Sequence, residues 1–251
     1  MTDLDYPDLF PTPPTSFATD APEATGSGTP GTDAVATYVD ENRSWLFYLA
    51  EISLRRTIDD VQWLFYHGGE DYWVNNVHLL VRQHAEADKQ ITLWYSHLPP
   101  SIRFEPPKPP ENEFAFYMQY RFLEWRESTL RPLLYVFLHY RPLGGAPLPR
   151  EVMQGGREAV SVIAELITLS TQHHRHGGIW FVARRAFGCA LLLLAVVLRY
   201  GEAEAPPAWP DLIALALQTL ERWASEAADV AIMRNVLERV YSAVRQQHSA
   251  C

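Results

Sequence analysis

The sequence has very little lysine and no basic run. Lys89 and Lys108 are the only lysines among 251 residues, and the other basic side chains are arginines scattered along the chain. Clustered Lys and Arg side chains bind the phosphates of nucleic acids, and a short basic run directs a protein into the nucleus. We therefore expect that this chain alone has no direct nucleic-acid binding and carries no nuclear address.

Cysteine is equally scarce. Cys189 and Cys251 are the only two, which excludes a disulfide scaffold and a cysteine zinc site. The N-terminal residues are acidic and rich in proline, unlike a secretory signal peptide. The most apolar stretch, residues 186–198, is shorter than the ~20 residues that cross a membrane. We expect a buried core helix there, and a soluble intracellular protein without a membrane partner.

Motifs of catalysis are missing as well. The chain has no phosphate-binding loop, nucleophile elbow, H-E-x-x-H pair or dinucleotide fingerprint. An all-helical terpene synthase of class I would hold magnesium through acids at positions i, i+1 and i+4 of one helix. Asp59 and Asp60 begin this pattern, but Trp63 occupies the third position. We therefore expect neither an enzyme nor a cofactor.

Three histidines, His173, His174 and His176, superficially resemble a metal-ligand cluster. On a helix, side chains at this spacing point to different faces, and no cysteine or acid lies next to them. A basic helix C-terminus, which the helix dipole favours, is the interpretation that we prefer. The sequence therefore predicts no metal site.

What the sequence does contain is helical periodicity. Hydrophobic residues make up 47% of the chain and aromatic residues 12%, a composition that predicts a folded protein. Leu54, Ile58, Val61 and Phe65 recur with the period of a helix, and no strand-like alternation is present. We predict an all-α domain over residues 37–251, an irregular bundle or array of about seven helices. Their approximate positions are up to 67, 73–97, 114–140 with Pro132 as a kink or a new start, 150–174, 179–200, around 213–224 and around 233–244.

The first 36 residues have a different composition. They are rich in Pro, Thr and Gly and show no apolar period, so we predict a disordered acidic tail. Residues 1–41 carry eight acids and no Lys or Arg, whereas the remainder is nearly neutral. Leu4, Tyr6, Leu9 and Phe10 are interspersed with aspartates. Such a mixture is found in ordinary solvated tails and also in transcriptional activation segments.

Four short segments, in this order, resemble the C-terminal half of the fungal-specific transcription factor domain. They are WLFYLAEISLRR at 45–56, LWYSHLP with IRF at 93–104, LRPLLY at 130–135 and HRHGGIWF leading into ALLLL at 174–194. That domain is the regulatory region of fungal zinc binuclear-cluster transcription factors. The resemblance implies an all-helical module in the nucleus, associated as a homo- or hetero-dimer, that gates an attached DNA-binding or activation segment.

The resemblance also implies what this chain lacks. The family reads DNA with a six-cysteine zinc cluster, a basic linker and a coiled coil, and none of them is found in these residues. We expect either the regulatory part of a longer factor or a regulator without a cluster, acting through protein partners in the nucleus or otherwise in the cytoplasm. A helical module that senses a small metabolite in an apolar pocket is the alternative.

The family-signature positions have structural interpretations of their own. The aromatic ones are expected in a core or an interface, and Glu51, Arg55 and Arg131 are expected to form ion pairs that fix helix packing. The complete set of signature positions is Trp45, Tyr48, Glu51, Arg55, Arg56, Trp94, Pro99, Arg103, Arg131, Pro132, Tyr135, Arg175 and Trp180.

Overall fold

A computed structural model describes residues 32–105, 110, 112–140, 147–174 and 176–249, with side chains described from residue 42 to residue 247. Within these residues the chain is 83% helical and has no strand, which confirms the all-α prediction. The eight helices are α1 (Thr32–Tyr66), α2 (Gly69–Asn75), α3 (Val77–Ser96), α4 (Glu113–His139), α5 (Arg150–Ser170), α6 (Ile179–Tyr200), α7 (Trp209–Ala224) and α8 (Ala228–Ser249), and a 3₁₀ turn, Gly201–Ala203, follows α6.

Two helix boundaries in the first half of the chain differ from the prediction. The predicted helix 73–97 is divided at Asn76, whose backbone N–H and side-chain amide both donate to the Tyr72 carbonyl and so end α2. This short α2 is the helix that the sequence pattern did not predict. Helix α1 begins at Thr32, within the predicted tail of residues 1–36, and residues 1–31 lie outside the described residues.

The Cα positions form two compact units. The first unit contains residues up to Asp60 together with Thr92–Gln119. Its core includes Leu54, Ile102 and Met118, all fully buried. The indole of Trp94 is buried there as well and donates its N–H to the Ala50 carbonyl at 3.3 Å, which ties the end of α3 to α1.

The second unit contains Val61–Ile91 and Tyr120–Cys251. Its core is made by apolar side chains of α4, α5, α6 and α7, and α8 packs against α6 and α7. Trp73 on α2 is buried in this unit and donates its indole N–H to the Phe65 carbonyl at 2.6 Å. This contact holds the reversal of the chain at Gly68, after which Gly69 adopts a positive φ of 66°.

Helices α4 and α5 approach closely because two adjacent glycines face α4. A Cβ atom on Gly155 would lie 2.7 Å from the end of the Leu133 side chain. A Cβ atom on Gly156 would lie 2.6 Å from the ring of Phe137, which is itself buried and stacked on another ring. Interiors are packed too densely to admit an extra methyl group without displacement. These glycines are therefore a requirement of the α4–α5 interface.

We expect the substitution Gly156→Ala to lower the free energy of unfolding by up to about 2 kcal/mol. Overpacking costs about 1–3 kcal/mol, and the better helix propensity of alanine, worth about 1 kcal/mol, offsets part of it. Urea denaturation measures the difference. In a Phe137→Leu background the same substitution should cost less, because the ring that the new methyl group meets is gone. An equal cost in both backgrounds would contradict the packing explanation.

Candidate functional site

The site begins at Pro132, which lies in the middle of α4 without ending it. Proline has no N–H group, so the carbonyl of Ser128, four residues earlier, has no helical donor. The hydroxyl of Tyr66, at the end of α1, donates to that carbonyl oxygen at 2.6 Å. Burial raises the pKa of Tyr66 well above its usual value, so the hydroxyl retains the proton that it donates. A kinked helix and a new helix start were the two outcomes predicted at Pro132. Helix α4 continues through Pro132, so no new helix starts there.

One turn before Pro132, a buried carboxylate joins α4 to α6. Glu127 is 2% exposed. Arg131 donates through Nε and Nη2 to the two oxygens of Glu127 at 2.7 and 2.9 Å, and Arg185 on α6 donates through Nη1 at 2.6 Å. Burial acts to lower the pKa of each arginine, but the groups around it, Glu127 first among them, together more than offset this effect and both pKa values are raised. We call Glu127, Arg131 and Arg185 the charged triad.

The charged triad is surrounded by other buried polar side chains. Glu124, also buried, pairs with Arg121 and lies 3.6 Å from Nε of Arg185. The Tyr120 hydroxyl is buried, and no hydrogen-bond partner for it is found among the described residues. Burial raises the pKa of the Cys189 thiol, which therefore stays protonated. The carboxylates of Glu124 and Glu127 thus share Arg185, which ties α4 to α6.

A second polar cluster occupies the turn between α5 and α6. The predicted helix 150–174 ends earlier, at Ser170, so the histidines lie in a turn and the helix-face argument does not apply to them. The Gly178 N–H donates to Nδ1 of His176 at 3.0 Å, so the proton of the neutral ring is on Nε2. That N–H then donates to Nδ1 of His173 at 3.1 Å. His174 is exposed.

His173 is neutral in this arrangement. The ring is 2% exposed and meets the ring of Tyr120 edge to face, with centroids 4.5 Å apart. Burial, followed by the proximity of His176 and His174, lowers the pKa of His173 to about 4. Protonation of His173 on Nδ1 would place two N–H groups against each other, so the hydrogen bond requires the neutral form of both rings.

The aromatic signature positions differ in burial. Trp94 is buried, Trp45 and Trp180 are half-buried, and Tyr48 is 55% exposed, so Tyr48 is not part of the core. Trp45 and Tyr48 contact each other with ring centroids 5.9 Å apart. The indole of Trp180 donates to Asp229 on α8 at 2.6 Å, which ties the start of α6 to the start of α8.

The polar signature positions in the first unit have local roles. Arg55 pairs with Glu51 one turn away at 3.3 Å on the exposed side of α1, and Arg56 is exposed. Arg103 donates to the carbonyls of Tyr95 and Ser96 at 3.3 and 3.0 Å, at the end of α3, where the Tyr95 carbonyl also accepts the Leu98 N–H at 3.2 Å.

The remaining signature positions are a proline, a tyrosine and an arginine. The Pro99 carbonyl accepts the Ile102 N–H at 3.1 Å and so closes the turn after α3. The ring of Tyr135 meets that of Trp73 edge to face, with centroids 5.4 Å apart. Arg175 lies outside the described residues.

Only part of the charged triad could be predicted from the sequence. Arg131 was a signature position expected in an ion pair, but its partner Glu127 and the third member Arg185 were not singled out. The signal for Glu127 was its i, i+4 spacing from Arg131 on one helix. Arg185 gives no such signal, because its contact with Glu127 joins residues 58 positions apart.

Within the described parts of the chain, no group of three or more His, Cys, Asp or Glu side chains is placed to hold a metal ion. Asp59 and Asp60, the two acids weighed as the start of a magnesium motif, are exposed on α1. The stretch Ile179–Ala203 is long and apolar enough to cross a membrane, and half of its most apolar part is buried inside the protein. Core helices of globular proteins pass the same test of length and composition.

Comparison of the chain with models of protein families, with curated proteins and with solved structures finds no match.

Proposed function

We propose that this chain is a transcription-regulatory module of the fungal zinc-cluster type, working in the nucleus through protein partners and without catalysis. The observation that carries the proposal is the order of the four segments that resemble the fungal regulatory domain. A structural observation supports it: Arg131, within the third segment, and Arg185, between the two parts of the fourth, bind the same buried carboxylate. The third and fourth segments are thus linked in the fold through one shared ion-pair partner, Glu127.

In this proposal the helical residues and the tail have separate tasks. The two cysteines of the sequence are too few for a six-cysteine cluster, so the module reaches DNA through a protein to which it is joined or bound. The acidic tail, with Leu4, Tyr6, Leu9 and Phe10 among its aspartates, serves as the activation segment. The helical part gates that segment by presenting or covering surfaces that partners bind.

The charged triad gives such a gate a fixed framework. A buried carboxylate with two guanidinium partners is satisfied only when α4 and α6 keep one position relative to each other. In some proteins buried ionic groups fix a particular arrangement more than they add stability. The triad therefore serves to hold the surfaces of α4 and α6 in one register, so that partner surfaces on these helices stay in place.

The test of the tail is a reporter assay. Residues 1–36 fused to an unrelated DNA-binding domain are expected to raise transcription several-fold above that of the DNA-binding domain alone. A variant with Leu4, Tyr6, Leu9 and Phe10 changed to serine retains every acid and is expected to be inactive, because partners bind the apolar side chains. A silent wild-type tail would refute the activation part of the proposal.

The test of the gate uses the whole chain in the same assay. All 251 residues fused to the DNA-binding domain are expected to activate less than the tail alone, since the helical part restrains the tail. Immunoblotting for equal amounts of the two fusions is the necessary control. Equal activation by equal amounts of both fusions would contradict gating while leaving the activity of the tail intact.

A further inference from the structure

Helix α6 is apolar on its outer side as well as its inner side. Phe181 is 66% exposed and Leu198 is 54% exposed, at opposite ends of the helix. Half-buried Leu191 and Ala195 lie on the same side between them. Contiguous exposed apolar surface on a protein marks a site of interaction. We call this side of the helix the α6 outer face.

Helix α8 extends this apolar surface. Trp180 on α6 donates to Asp229 on α8, which places the first turns of the two helices side by side. Ile232, one turn beyond Asp229, is 63% exposed, and Val236, one turn further, is 38% exposed. The exposed apolar side chains therefore form a surface that two helices share within the second unit.

Gly188 lies in the middle of the α6 outer face. Glycine inside a helix costs about 1 kcal/mol relative to alanine. At Gly156 the close approach of α4 accounts for that cost, because a Cβ atom would meet a neighbouring ring. A Cβ atom on Gly188 would meet nothing within 4 Å. No contact within the described chain requires this glycine, and the space above it is open to a helix that packs closely against α6.

The charges on and beside this face are already satisfied. Arg184 lies over the Trp180 ring at 3.9 Å and 4.0 Å from Asp229, and Arg185 belongs to the charged triad. Arg199 donates to a backbone carbonyl. Helix α6 contains no acid. These arginines therefore need no acidic partner. The α6 outer face thus favours an apolar partner over the acidic tail.

A second copy of this helix fits the face in antiparallel orientation. With a two-fold axis between Cys189 and Ala190, Gly188 lies opposite Leu191 of the other copy, and Arg184 lies opposite Ala195. Leu191 and Arg184 thereby each meet a small residue, and Phe181 meets Leu198, so that the two most exposed apolar side chains of the helix cover each other. The two Arg184 side chains are then separated by about 16 Å along the helix, at 1.5 Å per residue. A parallel pair would instead place Arg184 against Arg184 and Gly188 against Gly188.

The exposed area is sufficient for a small dimer interface. Phe181, Leu198 and Ile232 each leave roughly 100 Å² of side chain exposed, judged from the size of large apolar side chains. With the partly exposed residues between them, two copies bury on the order of 1,000 Å² in total. This value is at the lower end for a specific protein–protein interface. A two-fold contact also uses the same patch on both copies, so no patch remains to bind a third copy and association stops at the dimer.

We propose that the α6 outer face, with Ile232 and Val236 of α8, binds a second copy of this chain in an antiparallel two-fold contact. The inference rests on the proposed function in one respect, because that function requires protein contacts and the α6 outer face provides one of them. It depends on neither the tail nor its activity in transcription.

Sedimentation of the 251-residue chain tests the proposal. The wild type is expected to sediment at twice its mass of 28.7 kDa. Gly188→Trp is expected to be monomeric, because the ring occupies the space that the partner helix needs, and to retain its helical circular dichroism and thermal midpoint. Gln218→Trp adds the same ring at an exposed position of α7 and should remain dimeric.

Cross-linking tests the orientation. In a Cys251→Ser background, Arg184→Cys and Ala195→Cys are expected to form disulfides when mixed and not when either is oxidised alone. A wild type that is monomeric at all concentrations, or a Gly188→Trp variant that is still dimeric, would overturn the proposal. A monomer that binds vesicles of phosphatidylcholine and phosphatidylglycerol would overturn it as well and assign the face to lipid. None of these results bears on the reporter assay, so the two proposals fail separately.

Discussion

Replacement of Glu127 by leucine is expected to lower the free energy of unfolding by about 3 kcal/mol. The substitution leaves the guanidinium groups of Arg131 and Arg185 beside an apolar side chain, and removing one partner of a buried ion pair costs about 3–5 kcal/mol. The lower end applies because both arginines retain some contact with water, with 37% and 25% of their side chains exposed. Urea denaturation, followed by circular dichroism, measures the effect.

The control is an ion pair of the same chemistry at the surface. Glu86 and Lys89 lie 3.3 Å apart, with both side chains mostly exposed. Glu86→Leu should change the free energy of unfolding by less than about 1 kcal/mol, because exposed pairs contribute little. A triple variant that also replaces Arg131 and Arg185 by methionine is expected to recover most of the loss, since no unpaired charge remains. Failure of this recovery would show that Glu127 matters for another reason.

Acidification from pH 7 to pH 5 is expected to destabilise the protein by about 2 kcal/mol through His173. In the folded protein the pKa of His173 is lowered to about 4, whereas the usual value is 6.5. Between these two values the unfolded chain binds more protons than the folded one, so stability rises with pH. The stability that neutral His173 contributes is complete above pH 6.5 and is lost progressively as the pH falls toward 4. At pH 4 the loss reaches about 3 kcal/mol, because each unit of pKa difference corresponds to about 1.4 kcal/mol.

The variant His173→Asn isolates this effect. Its amide oxygen can accept the hydrogen bond from His176, and the side chain does not titrate between pH 4 and 7. The difference in unfolding free energy between pH 7 and pH 5 should therefore be smaller for the variant than for the wild type by about 2 kcal/mol. Carboxylates add little to this difference, because most of them remain ionised at pH 5. An identical pH dependence of the two proteins would contradict a neutral, buried His173.

The sequence predicted the helices well because their apolar period is strong. Leu54, Ile58, Val61 and Phe65, the stripe read from the sequence, are all buried. The predicted helix 179–200 agrees with α6 at both ends, since Gly178 and Gly201 flank it. Local signals of this kind depend only on neighbours along the chain. They require no knowledge of what packs against the helix.

The candidate site was much harder to predict. The contacts between Tyr66 and Ser128 and between Arg185 and Glu127 join residues 62 and 58 positions apart. No local pattern encodes such a pairing. The three histidines were misplaced for a related reason, because the end of α5 at Ser170 depends on the turn that follows and not on the period of the helix. Side-chain chemistry identifies which groups need partners, but only the fold decides which partners they obtain.

The two compact units have a consequence for how this chain can be inherited. Each unit is assembled from two separate stretches, with Thr92–Gln119 completing one unit and Val61–Ile91 belonging to the other. A single recombination event between residues 61 and 119 would leave both units without a necessary piece. Neither unit can be transferred to another gene as one uninterrupted segment. The helical part of this protein is therefore expected to pass between genes intact, as one piece that evolution keeps or discards whole.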